Sequence, residues 1–146
     1  MSAETIEILL VEDNPDDAAL TARALDEYDL AKHLYHVRDG EEALDYLFGR
    51  GLYAYRNADR LPRFILLDVN LPGTNGIEVL RQIKASERTK RIPVVVFTAS
   101  VEDERRVESH QLGVNSFISK PSDPADFSRA ISSVGHYWLL FNSPAP

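Results

Sequence analysis

The sequence predicts a doubly wound α/β fold around a five-stranded parallel sheet in the order 2-1-3-4-5. Short runs such as "ILLV", "FILL" and "PVVVF" are apolar throughout, as strands covered on both faces of a parallel sheet are. Helically spaced apolar residues separate them, so strands and helices alternate along the chain. Polar groups close three of the runs: Glu12 and Asp13, Asp68, and Thr98 with Ser100. In such a sheet the ligand crevice lies outside the carboxyl ends of the strands, and this strand order switches direction between strands one and three.

The elements follow in order. Ile6 to Val11 reads as the first strand. Asn14 and Pro15 cap and open a helix running to about Tyr28, with Ala18, Ala22 and Leu25 inward. Asp16 and Asp17 fall in its first turn, where the helix dipole favours acids. Leu34 to Val37 is a more polar strand, suited to an edge. Gly40 to Phe48 is the second helix, with Ala43, Leu44, Leu47 and Phe48 inward and Gly49 as its stop. A long connection, "RGLYAYRNADRLP", shows no decisive pattern. The third strand spans Phe64 to Leu67.

Asn75 and Glu78 form a capping pair for a third helix whose apolar side carries Ile77, Val79, Leu80 and Ile83. Val94 to Phe97 is the fourth strand. Ser100 and Asp103 cap a fourth helix, Val101 to Leu112, ended by Gly113. Its apolar stripe is thin, so it should be lightly anchored. Ser116 to Ser119 is the fifth strand, followed by Lys120 and Pro121. Asp123 and Pro124 open the last helix, with Phe127, Ala130, Ile131, Val134 and Trp138 at helical spacing. "HYWLLF" is expected to extend past it.

The 146 residues suit one domain, 1–146, with a core at about 5–138 and a tail at 139–146. A net charge of -7 without a Lys/Arg cluster argues against nucleic acid and against an anionic membrane surface. No run is long enough to span a bilayer. The amino terminus lacks the regions of a signal peptide, which makes a cytoplasmic protein the default. With no cysteine, thiolate metal sites and disulfides are excluded.

If strands one, three and four are neighbours, Glu12, Asp13, Asp68 and Thr98 meet on one sheet edge, joined by Lys120 after strand five. Clustered carboxylates repel, and a bound cation is the simplest way to keep them ionised. Hard oxygen ligands favour Mg²⁺, which also binds phosphate oxygens. A carboxylate beside that ion can attack phosphorus, with Lys120 and Thr98 pairing the phosphoryl oxygens. Taken singly, each residue has a plainer role: Asp68 in a turn, the acid pair leading into a cap, Lys120 on the surface. Their joint placement favours the site.

As a set, "VEDN", "LLDVNLPGTNG", "VFTAS" and "ISKP" resemble the receiver domains of two-component response regulators, which share the flavodoxin-like strand order, over Ile6 to about Tyr137. The resemblance implies that Asp68 is the phosphoacceptor. It implies that Asp13, Asp68 and the Asn70 carbonyl hold Mg²⁺, with Glu12 assisting. It assigns Lys120 and Thr98 to the phosphoryl group and Phe117 to an aromatic switch, and it suggests a cis peptide at Lys120–Pro121. Such a protein is a signalling phosphoprotein, not an enzyme acting on other molecules. Its partner is a sensor histidine kinase.

The long connection, "DVNLPGTNG", "LGVNSFISKP" and the "HYW" ending look like the small single-domain regulators paired with phytochrome-type kinases. The chain ends after helix five, so output is expected from contacts of the receiver itself. Leu139, Leu140 and Phe141 suggest a homodimer through the carboxyl-terminal helix and tail. None of the four histidines has a phosphotransfer context, and His33 and His36 point to opposite sides of a strand. Two rivals stand beside this. A dehalogenase-type phosphatase needs a second acid where Asn70 stands, and a receiver-like module would bind partners without phosphorylation.

Overall fold

The computed structural model describes residues 8–27, 33–56, 60–73, 75–120 and 123–141, with side chains as far as Val134. Strands β1 (Ile8–Val11), β2 (Leu34–Val37), β3 (Phe64–Asp68), β4 (Val94–Thr98) and β5 (Ser116–Ser119) alternate with five helices. These are α1 (Pro15–Asp26), α2 (Gly40–Phe48), α3 (Gly76–Ala85), α4 (Val101–Glu108) and α5 (Pro124–Phe141). The strands form one sheet in the order β2-β1-β3-β4-β5, all parallel. The predicted order is therefore the observed one.

Residue alternation splits the core into two layers. Leu9, Val11, Ile65, Leu67, Val94 and Val96 face the side covered by α2, α3 and α4. Ile8, Leu10, Phe64, Leu66, Val95 and Phe97 face α1 and α5. Both faces are covered, so every residue of β1, β3 and β4 is buried. That is why these runs are apolar throughout instead of alternating.

The caps follow the sequence closely. Asn14 Oδ1 accepts the Asp16 and Asp17 amides, Asn75 Oδ1 accepts that of Glu78, and Ser100 Oγ accepts that of Asp103. Gly49 closes α2 at φ 63°, a left-handed conformation that favours glycine. On α1, Thr21 and Ala24 are buried beside Ala18 and Leu25, whereas Ala22 is only half-buried. Helix α4 ends at Glu108, before the expected Leu112. There the Ser109 hydroxyl donates to the Arg106 carbonyl and Gln111 turns left-handed at φ 52°, local bonding that competes with the helix. "HYWLLF" does not extend past α5: the helix continues through it to Phe141. The side chains of that segment, the tail after 141 and the Lys120–Pro121 peptide bond lie outside the described residues.

The long connection after α2 folds back through tyrosines. A 3-10 turn, Gly51–Tyr53, brings Tyr53 against Tyr46 and Tyr35, with ring centroids 5.3 and 6.0 Å away. Tyr35 and Tyr46 stack at 4.6 Å, and Arg56 lies 3.9 Å over the Tyr46 ring. The buried Tyr53 hydroxyl donates to Glu42 at 2.6 Å and meets the Tyr35 hydroxyl at 2.8 Å. Burial first, and the Glu42 carboxylate second, push its ionisation well above the usual tyrosine range. Tyr53→Phe is expected to cost about 1 kcal/mol by removing this donor. A urea titration should show the loss as a lower midpoint at unchanged slope, and an unchanged midpoint would assign no stabilising role to the hydroxyl.

Candidate functional site

Parallel register brings the acids together. Val11 of β1 pairs with Leu67 of β3, so Glu12 and Asp68 leave adjacent strands side by side. Asp68 pairs with Phe97 of β4, one residue before Thr98, and Thr98 pairs with Ser119, one residue before Lys120. The Lys120 amide donates to the Thr98 carbonyl at 2.8 Å. The sheet ladder thus aligns the four strand ends at the predicted crevice.

The carboxylates of Glu12, Asp13 and Asp68 each offer an oxygen within 4.8 Å of the other two. Glu12 and Asp68 are buried, and Asp13 is exposed at the mouth. The Lys120 ammonium lies 2.6 Å from Glu12 Oε1, 2.8 Å from Asp68 Oδ2 and 3.0 Å from Asp17 Oδ2. Its contacts with Asp68 and Asp17 are hydrogen bonds. Fully buried Glu12 Oε1 is ion-paired with the same ammonium and has no other hydrogen-bond partner. Asp68 Oδ1 accepts the Asn70 amide at 2.9 Å, so the two Asp68 oxygens are held by different donors.

Burial pushes the Glu12 carboxyl up to about 7, with Asp68 adding to the rise and Lys120 opposing it. For Lys120, burial alone would favour the neutral amine, but Asp68 and Glu12 outweigh it and hold the ammonium above its ordinary range. Three carboxylates around one ammonium leave excess negative charge in a partly desolvated pocket. Three carboxylates with converging oxygens, two of them buried, fit a hard divalent cation.

Thr98 is buried at the end of β4. Phe117 on β5 pairs with Val96 and is half-buried against the layer that includes Val107 of α4. Two participants were not foreseen. Asp17 was assigned to the helix dipole, yet its carboxylate holds Lys120; its place one turn after Asp13 was the available signal. Asp103 was assigned to a cap, yet its side chain accepts the Asn70 Nδ2 at 2.9 Å and the Ala99 amide at 3.1 Å. The Asn70 bond, first among several, lowers the Asp103 carboxyl. Among the described residues no helix is long and apolar enough to cross a membrane.

Known proteins are similar to this chain in sequence and fold. A probable methanogenesis regulatory protein, FilR2, of Methanothrix harundinacea is 43% identical over 141 residues, which is 95% of this chain and 88% of the relative. The phosphorylated cyanobacterial phytochrome response regulator RcpA has a similar structure, with TM-score 0.83 and 37% identity over 97% of this chain and 99% of that one. So does the Mn(2+)-bound form of response regulator Rcp1, with TM-score 0.82 and 35% identity over 95% and 97%. The sequence profile of the response regulator receiver domain matches residues 8–132, which hold every strand and all the acids of the crevice. The chain therefore belongs to the response regulator receiver domain family.

Proposed function

We propose that this protein is a single-domain response regulator that accepts a phosphoryl group from a sensor histidine kinase onto Asp68. The observation that carries the proposal is the Lys120 ammonium within 3.0 Å of Glu12, Asp17 and Asp68, at the mouth where Asp13 is exposed. Mg²⁺ is the cofactor, held by Glu12, Asp13, Asp68 and the Asn70 carbonyl. When bound, the cation neutralises carboxylate and phosphoryl charge.

The chain's own groups do the rest. A carboxylate oxygen of Asp68 attacks phosphorus as the bond from phosphorus to the donor nitrogen breaks, and the imidazole leaves. Strand β3 fixes the nucleophile, and the Asn70 amide and Lys120 orient its two oxygens. Lys120 offsets charge on the phosphoryl oxygens and the Thr98 hydroxyl donates to them. Phosphorylation adds about two negative charges. Thr98 is drawn toward them and Phe117 moves into the space beside it. Helix α4 and β5 then change the surface they present.

Such a domain catalyses only its own phosphorylation and dephosphorylation. Likeness to RcpA, and to the bacteriophytochrome response regulator AtBRR at 45% identity, supports a phytochrome-type kinase as partner, working in the cytoplasm. A homodimer through α5 and the segment after it is the expected output form. Intact mass after incubation with acetyl phosphate should rise by one phosphoryl group with Mg²⁺ and not with excess chelator. Sedimentation of the same samples should report a dimer. No gain from acetyl phosphate or from a phosphorylated kinase would instead favour a receiver-like module that binds partners unmodified, and a monomer in every sample would refute the dimer.

A further inference from the structure

Lys120 has three carboxylate neighbours, but their circumstances differ. Glu12 and Asp68 belong to the set whose oxygens converge within 4.8 Å, together with Asp13. Asp17 does not. A cation taken up by that set draws on two of the carboxylates that Lys120 contacts. Asp17 is then the one carboxylate of the three left wholly to the ammonium.

Asp17 is also well fixed. Its amide donates to the Asn14 cap at 3.1 Å, and its carbonyl accepts the hydroxyl of fully buried Thr21 at 2.8 Å. Helix α1 packs against α5, where Ser132 donates to the Ala24 carbonyl at 3.0 Å. Its side chain is 27% exposed, and the lysine side chain 18%. An ammonium has three donors in a flexible stem and needs outside restraint to point one way.

We propose that Asp17 is a positioning residue for Lys120: it holds one ammonium donor fixed from α1 so that another stays aimed at the oxygens of Asp68 and of an incoming phosphoryl group. The proposal rests on the phosphoryl-transfer role of Asp68. Without Asp17 the ammonium is free to turn toward solvent, and the productive orientation is populated less.

The test is a double-mutant cycle on the rate of phosphoryl uptake from acetyl phosphate at saturating Mg²⁺, read by intact mass. Asp17→Ala should slow uptake about tenfold, the scale of one charge-assisted hydrogen bond, and Asp17→Asn should recover part of it through its remaining acceptor. In a Lys120→Ala background, Asp17→Ala should change nothing further. Asp16→Ala, an exposed acid in the same turn, should match wild type. A purely structural role in α1 would slow both backgrounds equally and overturn the proposal. So would a wild-type rate in Asp17→Ala, or no effect of Lys120→Ala.

The same four proteins, metal-free, should show non-additive urea midpoints. Additive midpoints would deny the contact itself. A wild type that takes up no phosphoryl group removes the Asp68 role and this proposal with it. A labelled wild type with an indifferent Asp17 removes this proposal alone.

Discussion

Asp68→Asn is expected to abolish phosphoryl uptake while the protein remains folded. The carboxamide has nearly the shape of the carboxylate but lacks its charge and its second acceptor oxygen, so it cannot attack phosphorus. Only one of the two bonds at Asp68, from the Asn70 amide and from Lys120, can be kept. Loss of the charge-assisted bond to Lys120 costs about 1.5–3 kcal/mol, and relief of the repulsion Asp68 exerts on buried Glu12 offsets part of it. The unfolding midpoint should therefore fall modestly, while intact mass shows no gain under conditions that label wild type. A phosphoryl group on the variant, mapped by peptide analysis to Asp13 or elsewhere, would show that Asp68 is not the acceptor.

Gly76→Ala should damage stability and site together. Gly76 opens α3 against the end of β3, and its amide donates to the Val69 carbonyl at 3.1 Å. A Cβ there would stand 2.5 Å from the Asp68 carbonyl oxygen and 2.6 Å from Val69 Cα. Relaxed contacts between carbon atoms are about 3.5–4.0 Å, so strand end or helix start must shift by about 1 Å. The obstacle is backbone, and no side chain can rotate away from it. A loss of about 1–3 kcal/mol is expected from the overpacking. Because the shift falls on Asp68, the proposed nucleophile, uptake should also slow about 10²-fold. Gly73→Ala is the control: a Cβ there meets nothing within 4 Å. Its φ of 67° costs about 1–2 kcal/mol without moving Asp68. Urea midpoints and initial rates separate the two. A Gly76→Ala protein with wild-type values in both would mean that the close approach is not needed.

The sheet was legible because burial on both faces leaves a simple trace: β1, β3 and β4 are apolar until the residue that reaches the crevice. Edge strands β2 and β5 could be placed by their greater polarity and by the turns around them. The crevice acids were legible because several strand ends carry polar groups at once, whereas any one of them alone is explained by a turn or a cap. Asp17 was hidden for the opposite reason: a helix first turn explains an acid locally, and its partner Lys120 is 103 positions away. Asp103 was hidden the same way, since Ser100 accepts its amide while its carboxylate crosses to Asn70. The tyrosine cluster left no periodic trace, because Tyr35, Tyr46 and Tyr53 meet across a strand, a helix and a 3-10 turn.

Helix α4 buries one residue, Val107, and is also fastened by Asp103 to Asn70 and the Ala99 amide and by Arg106 to Asn70. Releasing it uncovers little apolar surface, and apolar surface is the source of the large heat capacity of unfolding. The free energy of moving α4 therefore runs nearly straight with temperature, while that of the whole fold is a dome. Cooling or warming changes the margin of the fold along a curve, yet the balance between docked and released α4 has no optimum of its own to drift from. With α4 in the proposed switching role, the switch and the stability of the fold stand on separate thermal footings.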